Sequence, residues 1–303
     1  MNRRHFIQTS LTALGAMGLG SANAQTPPIR LSMCDWNIGP RADSGNILRA
    51  RQTGLAGLQI SLGRDAQNLS LSRPEVRREW LALAREHGIA LHSVALGMLN
   101  SIPMKSEPQA AVLAVEALEA AADLGAANVL LAFFSKGDLR QSDAGGQFRN
   151  RSGGPFRSYA LDEEGVRRVV DALRLLAPRA ARLNVVLGLE NTLTAEQNLN
   201  ILEQVGSPWV QVYYDLGNSM EYGYDVPAEI RRLGRERICE IHLKDWKTPL
   251  LGSPEGVVDF KAAAAACREI KYDKWFVLET SGRKDRFLED TRANLEFARR
   301  TFG

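Results

Sequence analysis

Two kinds of pattern alternate along the chain. Short apolar runs at 29–37, 57–62, 89–96, 128–134, 184–190, 210–215, 238–243 and 275–279 are rich in aliphatic and aromatic residues and bounded by Gly, Pro or polar groups, as strands require. Between them, helical periodicity covers 44–53, 74–87, 107–124, 162–182, 194–205, 227–233, 259–269 and 286–300. Pro74 opens one of these stretches and Gly88 closes it, and Gly125, Gly206 and Gly234 close three others. Strict alternation of strands and helices predicts a parallel sheet with right-handed crossovers. Eight such units within residues 25–303 match the size of a single-domain (β/α)8 TIM barrel. A doubly wound sheet is the alternative, but no GxGxxG follows the first strand.

The polar residues that interrupt the strands fall in one place. The run 238–246, ICEIHLKDW, alternates Cys239, Ile241 and Leu243 with Glu240, His242 and Lys244, so His242 sits near the carboxyl end of a half-buried strand. Three other strands finish on a carboxylate: Glu190 on the fifth, Asp215 on the sixth and Glu279 on the eighth. The separations along the chain are 25, 27 and 37 residues, one βα unit each apart from an extra loop at 249–258 in the last. Parity places all four on the face opposite the aliphatic set Leu187, Leu189, Val212, Tyr214, Cys239, Ile241, Phe276 and Leu278. The four ligand candidates are therefore expected to converge at the carboxyl rim, where barrels of this kind place their chemistry. Three carboxylates and an imidazole crowded together repel unless neutralised. A divalent metal ion does this directly, with Mn²⁺, Mg²⁺ or Co²⁺ best suited and Zn²⁺ or Fe²⁺ possible. Trp36 and Trp246 are expected to line the pocket, and Lys244 and Asp245 to orient substrate hydroxyls or to form a surface ion pair.

Composition adds limits. With 45% hydrophobic and 24% charged residues the chain can bury a large core, and Cys34, Cys239 and Cys267 are too few for a disulfide framework. The start of the chain reads as a leader. Arg3-Arg4 precedes a mildly apolar stretch at 11–20 and an A-x-A site at Ala22-Asn23-Ala24, a pattern that resembles a Tat-type signal peptide over residues 1–24. A periplasmic location follows from that resemblance, and the apolar run is too short to remain as a membrane span. Removing Arg3 and Arg4 from the 38 basic residues leaves 36 against 35 acidic ones, so no basic field invites nucleic acid. The Gly-rich segment 135–158 carries Lys136, Arg140, Arg149, Arg151 and Arg157, and reads as a flexible flap or as a lid whose arginines meet substrate.

The stretches GLEN ending at Asn191, YYDLGNS from Tyr213, EIHLKDW from Glu240 and FVLETS from Phe276 resemble the xylose isomerase-like TIM-barrel superfamily, in its sugar (phosphate) isomerase/epimerase branch. The resemblance spans essentially all of residues 25–303. It implies that Glu190, Asp215, His242 and Glu279 bind one divalent metal ion, that Glu190 and Glu279 also exchange protons with substrate, and that a homo-oligomer is to be looked for, since relatives with this fold often self-associate. Glu196 matches a substrate-binding glutamate of ketose 3-epimerases. Asn218 stands where those enzymes have a histidine, and Thr248, one past Lys247, where they have an arginine. The metal site is thus expected to transfer better than the substrate pocket.

The implied partner is a small sugar or sugar derivative. The implied reaction is proton transfer next to a carbonyl through an enediolate, giving epimerisation or isomerisation. Loss of a β-hydroxyl at the same site would make a lyase or dehydratase acting on keto-sugars, keto-glycosides or inososes. Two strand-end glutamates also suit a metal-free retaining glycosidase, which leaves Asp215 and His242 unused. A non-catalytic periplasmic sugar binder is the third class. DNA-repair endonucleases of the same superfamily need a histidine-rich multi-zinc site, and only His242 is suitably placed here.

Overall fold

The computed structural model describes residues 29–141, 159–283 and 285–303. The expected signal peptide, and Arg149, Arg151 and Arg157 of the expected lid, lie outside the described residues. Eight parallel strands close into a barrel in sequence order: β1 (Arg30–Cys34), β2 (Gly57–Ser61), β3 (Ala90–Leu96), β4 (Asn128–Ala132), β5 (Val186–Glu190), β6 (Val210–Asp215), β7 (Ile238–Leu243) and β8 (Trp275–Leu278). Around them run α1 (Asp35–Ile38), α2 (Asn46–Thr53), α3 (Pro74–His87), α4 (Gln109–Leu124), α5 (Glu163–Leu183), α6 (Ala195–Val205), α7 (Leu216–Glu221), α8 (Val226–Leu233), α9 (Phe260–Glu269) and α10 (Phe287–Phe302). The expected TIM barrel is the fold. Among the described residues, no helix is long and apolar enough to cross a membrane.

Two cores hold it. Leu58, Ile60, Val129, Leu131, Leu187, Leu189, Ile241 and Leu278 face outward under the helices, where burying each such side chain contributes about 1.5–3 kcal/mol. Inside the barrel lies a smaller cluster of Cys34, Ala95, Leu130, Ala132, Tyr213, Cys239 and Val277. The inward place of Cys239 corrects the parity expected for it. The register slips between Val212 and Tyr213 where β6 pairs with β7, and such a bulge puts consecutive residues on one side. Cys239 and Glu240 both reach the interior as a result. Gly188 on β5 makes room, since a Cβ there would lie 2.6 Å from Cys239 Sγ.

Two local departures shape the rim. The first strand stops at Cys34 rather than continuing to 37. The buried Asp35 carboxylate accepts hydrogen bonds from the Ser61 N–H at 2.8 Å, the Ser61 hydroxyl at 2.7 Å and the Ala42 N–H at 2.8 Å, which turns the chain into α1. The short helix α7 was not expected. Asp215 caps it by accepting the Asn218 N–H at 2.8 Å. Gly217 allows the close approach, as a Cβ there would sit 2.9 Å from the Lys244 carbonyl oxygen.

Candidate metal centre and active site

The ends of β5, β6, β7 and β8 deliver Glu190, Asp215, His242 and Glu279 to one spot, with ligand-type atoms all within 4.8 Å of one another. His242 Nδ1 is 3.1 Å from Glu190 Oε1, 3.6 Å from Glu279 Oε2 and 3.7 Å from Asp215 Oδ2. His242 is fully buried, Glu190 and Asp215 are buried, and the Glu279 side chain is 19% exposed towards the cavity. Register explains the convergence: Asp215 pairs with His242 across β6 and β7, and Glu279 is held one step beyond β8 by its N–H to the Leu243 carbonyl at 3.0 Å.

Lys244 completes the cluster, its Nζ lying 2.8 Å from Glu279 Oε2 and 3.2 Å from Asp215 Oδ2. Burial works against ionisation of Asp215, but the Lys244 ammonium and His242 beside it hold its carboxyl well below the usual range. Burial pushes the Glu279 carboxyl up, with Lys244 and His242 only partly opposing it. Burial also disfavours charge on His242, yet the surrounding Cys34, Glu190 and Asp215 raise its pKa well above the ordinary value. These shifts describe a cluster short of positive charge. Three carboxylates and one imidazole nitrogen at such spacing form a hard donor set that fits a divalent ion.

The other sequence-predicted residues divide. Trp36 is at the site, donating its indole N–H to Glu279 Oε1 at 3.3 Å. Asn218 is there too, its amide nitrogen 3.4 Å from Glu190 Oε1. Glu196 is not. The capping box of Thr194 and Gln197 starts α6 so that Glu196 projects outward, where it pairs with Arg232 at 2.6 Å and its side chain is 71% exposed. Asp245 is buried and, among the described residues, forms no ion pair. It accepts the backbone N–H groups of Lys247, Val257 and Val258 at 2.9, 2.8 and 3.0 Å, pinning the loop after β7. Arg140 is committed to Asp138 through two guanidinium nitrogens and lies over the Tyr222 ring at 4.9 Å, so it builds the cavity wall.

Above the cluster opens a cavity of about 1270 Å³, walled in part by Trp36, Phe134, Tyr222 and Trp246, with Arg41 and Arg64 at its rim. Lys244 Nζ also stacks over the Trp246 ring at 4.6 Å. Aromatic faces beside hydrogen-bonding groups suit a polyhydroxy ligand. Sequence reasoning missed Gln59, a polar residue in an otherwise apolar strand, whose Oε1 lies 3.0 Å from His242 Nε2. It also missed Tyr213, whose ring packs 4.5 Å from that of His242.

Comparison with known proteins agrees with the fold. A sequence profile described as "Xylose isomerase-like TIM barrel" matches residues 47–301. The chain is 27% identical over 282 residues to 2-epi-5-epi-valiolone 7-phosphate 2-epimerase of an Actinoplanes species, covering 89% of this chain and 94% of that protein. It is 28% identical over 277 residues to a putative L-ribulose-5-phosphate 3-epimerase of Escherichia coli, covering 82% and 87%. Among solved structures, D-psicose 3-epimerase of Clostridium cellulolyticum superposes with a TM-score of 0.72 at 17% identity, covering 90% of this chain and 99% of that one. The 3-keto-D-glucoside 4-epimerase of E. coli gives 0.70 at 18% identity, covering the same shares.

Proposed function

Because the chain belongs to the xylose isomerase-like TIM barrel family, we propose that it is a divalent-metal-dependent sugar isomerase or epimerase acting next to a carbonyl group. One observation carries the reading: two strand-end glutamates share a single buried cluster with Asp215 and His242. Glu190, Asp215, His242 and Glu279 would hold the ion. When bound, it would supply Lewis acidity that polarises a substrate carbonyl and makes the neighbouring C–H more acidic.

The protein groups do the rest. Glu190 and Glu279 come from the fifth and eighth strands and so approach a bound sugar from different sides. One takes the proton from carbon and the other returns it, which inverts that carbon; return to the adjacent carbon gives isomerisation. Trp36 and Asn218 each hold one of these carboxylates in place. Lys244, 2.8 Å from Glu279, supports a second reading in which a β-hydroxyl leaves and the enzyme is a lyase. The exported, periplasmic form lacking residues 1–24 belongs to the same proposal, and N-terminal sequencing of the protein from a periplasmic fraction tests it.

The deciding experiment offers ketoses, keto-glycosides and inososes to the metal-loaded protein in D₂O. Deuterium should enter at a carbon next to the carbonyl, and loss of water would identify the lyase. Glu190→Gln and Glu279→Gln should each lower exchange by about 10²-fold or more. Normal exchange in both variants would end the assignment of Glu190 and Glu279 as proton carriers, and no exchange by the wild-type protein with any of these compounds would leave a sugar binder or another chemistry.

A further inference from the structure

Beneath the four ligand candidates, the barrel interior contains a chain of buried polar side chains from β2, β3, β4 and β7. Gln59, Ser93, Asn128 and Glu240 are all at most 3% exposed. Polar groups at such depth are costly unless every one is partnered, and here each is partnered in a way that gives the chain a direction.

The direction starts at Glu240. Its carboxylate accepts from Asn128 Nδ2 at 2.7 Å, from His92 Nδ1 at 2.8 Å and from the Tyr213 hydroxyl. With the amide nitrogen of Asn128 committed there, its Oδ1 is left to accept, and it takes the Ser93 hydroxyl at 2.8 Å. Ser93 has then used its one hydrogen, so its oxygen accepts from Gln59 Nε2 at 3.2 Å. Gln59 must therefore turn Oε1 the other way. That oxygen receives the Cys34 thiol at 3.1 Å and faces His242 Nε2 at 3.0 Å. A carbonyl oxygen cannot donate, so His242 carries its hydrogen on Nε2 and turns Nδ1 towards Glu190, Asp215 and Glu279.

We propose that Glu240, Asn128, Ser93 and Gln59 form a positioning relay that fixes His242 in the Nε2–H tautomer and so presents Nδ1 to the metal ion. The inference rests on the metal-site reading above. Gln59 supplies the acceptor that metal-bound histidines generally find at their second nitrogen. Glu240, three hydrogen bonds further on, sets which way that acceptor points. Reversing the chain would offer an amide N–H to His242 Nε2, which would place the imidazole hydrogen on Nδ1 and block the ligand position.

The test uses Zn²⁺ as a diamagnetic probe on the full mature protein. Zinc affinity is measured calorimetrically, and ¹⁵N-histidine spectra of the loaded protein report which ring nitrogen carries hydrogen. Wild type should bind one ion, with His242 protonated on Nε2. Gln59→Leu should bind about 10–100-fold more weakly and lose protection of the Nε2 hydrogen. Glu240→Gln, which allows the first amide to donate, should bind about tenfold more weakly, and Ser93→Ala, which deletes a single oxygen, serves if that variant does not fold. His92→Leu removes a Glu240 partner outside the chain, so it should lower the thermal midpoint and keep wild-type affinity. Equal affinity and spectra in the relay variants would overturn the relay and leave the metal site standing. An equal loss in His92→Leu would assign the effect to a weakened interior and overturn it too. A wild-type protein that takes up no Zn²⁺ would overturn the metal-site reading and the relay with it.

Discussion

Gly188 lies two residues before Glu190, and its replacement by alanine probes the layer on which the site stands. An added Cβ would meet Cys239 Sγ at 2.6 Å, Tyr213 Cδ2 at 3.2 Å and the Val129 carbonyl oxygen at 3.4 Å. Ordinary contact begins near that last distance, so the sulfur must retreat by 0.8 Å or the strand must move. The sulfur has little freedom, since the thiol is buried and donates to the Val212 carbonyl at 3.2 Å. Overpacking of this kind costs about 1–3 kcal/mol, and the backbone entropy recovered on replacing a strand glycine offsets about 0.5–1 kcal/mol. Gly188→Ala should therefore lose about 1–2 kcal/mol, which lowers the thermal midpoint by roughly 2–8 °C for a chain of this size. Cys239→Ala alone should also destabilise, by leaving a small cavity. In the double variant the new methyl occupies the vacated space, so the two losses should not add: the coupling should favour the double variant by at least about 1 kcal/mol. Thermal or urea unfolding of the four proteins measures it. Additivity within about 0.5 kcal/mol would refute the account of the bulge.

Two further outcomes are expected. Lys244→Met removes a positive charge in contact with two ligand candidates, so divalent ions should bind roughly tenfold more tightly, the order expected when one unit charge a few ångströms away is lost from a water-accessible site; calorimetry that finds weaker binding would make Lys244 a support of the site and not a competitor. Burial pushes the Glu229 carboxyl up from 4.5 to about 7 against the opposing Ala195 N–H, so the folded state holds that proton more tightly and stability falls as pH rises between those values. Glu229→Gln should accordingly raise the thermal midpoint at pH 8 by about 2 °C and lose that advantage below pH 4.5, the ordinary value for this group.

The barrel and its four ligand candidates were legible because both depend on periodicity. Eight apolar runs at βα spacing leave few topologies, and a residue at the end of a strand keeps its face if the strand is regular. Where regularity failed, so did the count. The slip at Val212 and Tyr213 turns Cys239 inward, and no composition cue marks a bulge. The helix α7 is set by one capping carboxylate, Asp215, which a ligand reading had already assigned to metal. Glu196 fitted a family spacing, but its direction was decided by the capping box that starts its helix, with Arg232 waiting on the outer surface. Gln59 acts on His242 across 183 residues of chain, and a contact of that kind has no local signature beyond one polar residue in an apolar strand.

Charge ties these parts together. Glu190, Asp215 and Glu279 bring three negative charges to one buried spot, and Lys244 offsets one of them. The remaining two equal the charge of a divalent ion, so the filled cluster would be neutral with a neutral His242, and buried charge is tolerated only when balanced in this way. Neutrality of the histidine is then a requirement of the site, and crowding by carboxylates works against it by favouring the imidazolium. An acceptor at Nε2 alone would serve either charge state. Between the two neutral tautomers, an acceptor that cannot turn over to donate selects the one with its hydrogen on Nε2, and on the proposed relay the polarity running from Glu240 to Gln59 would provide it. On the proposed relay, the interior of this barrel is polar beneath the site so that His242 would present Nδ1 to a bound ion.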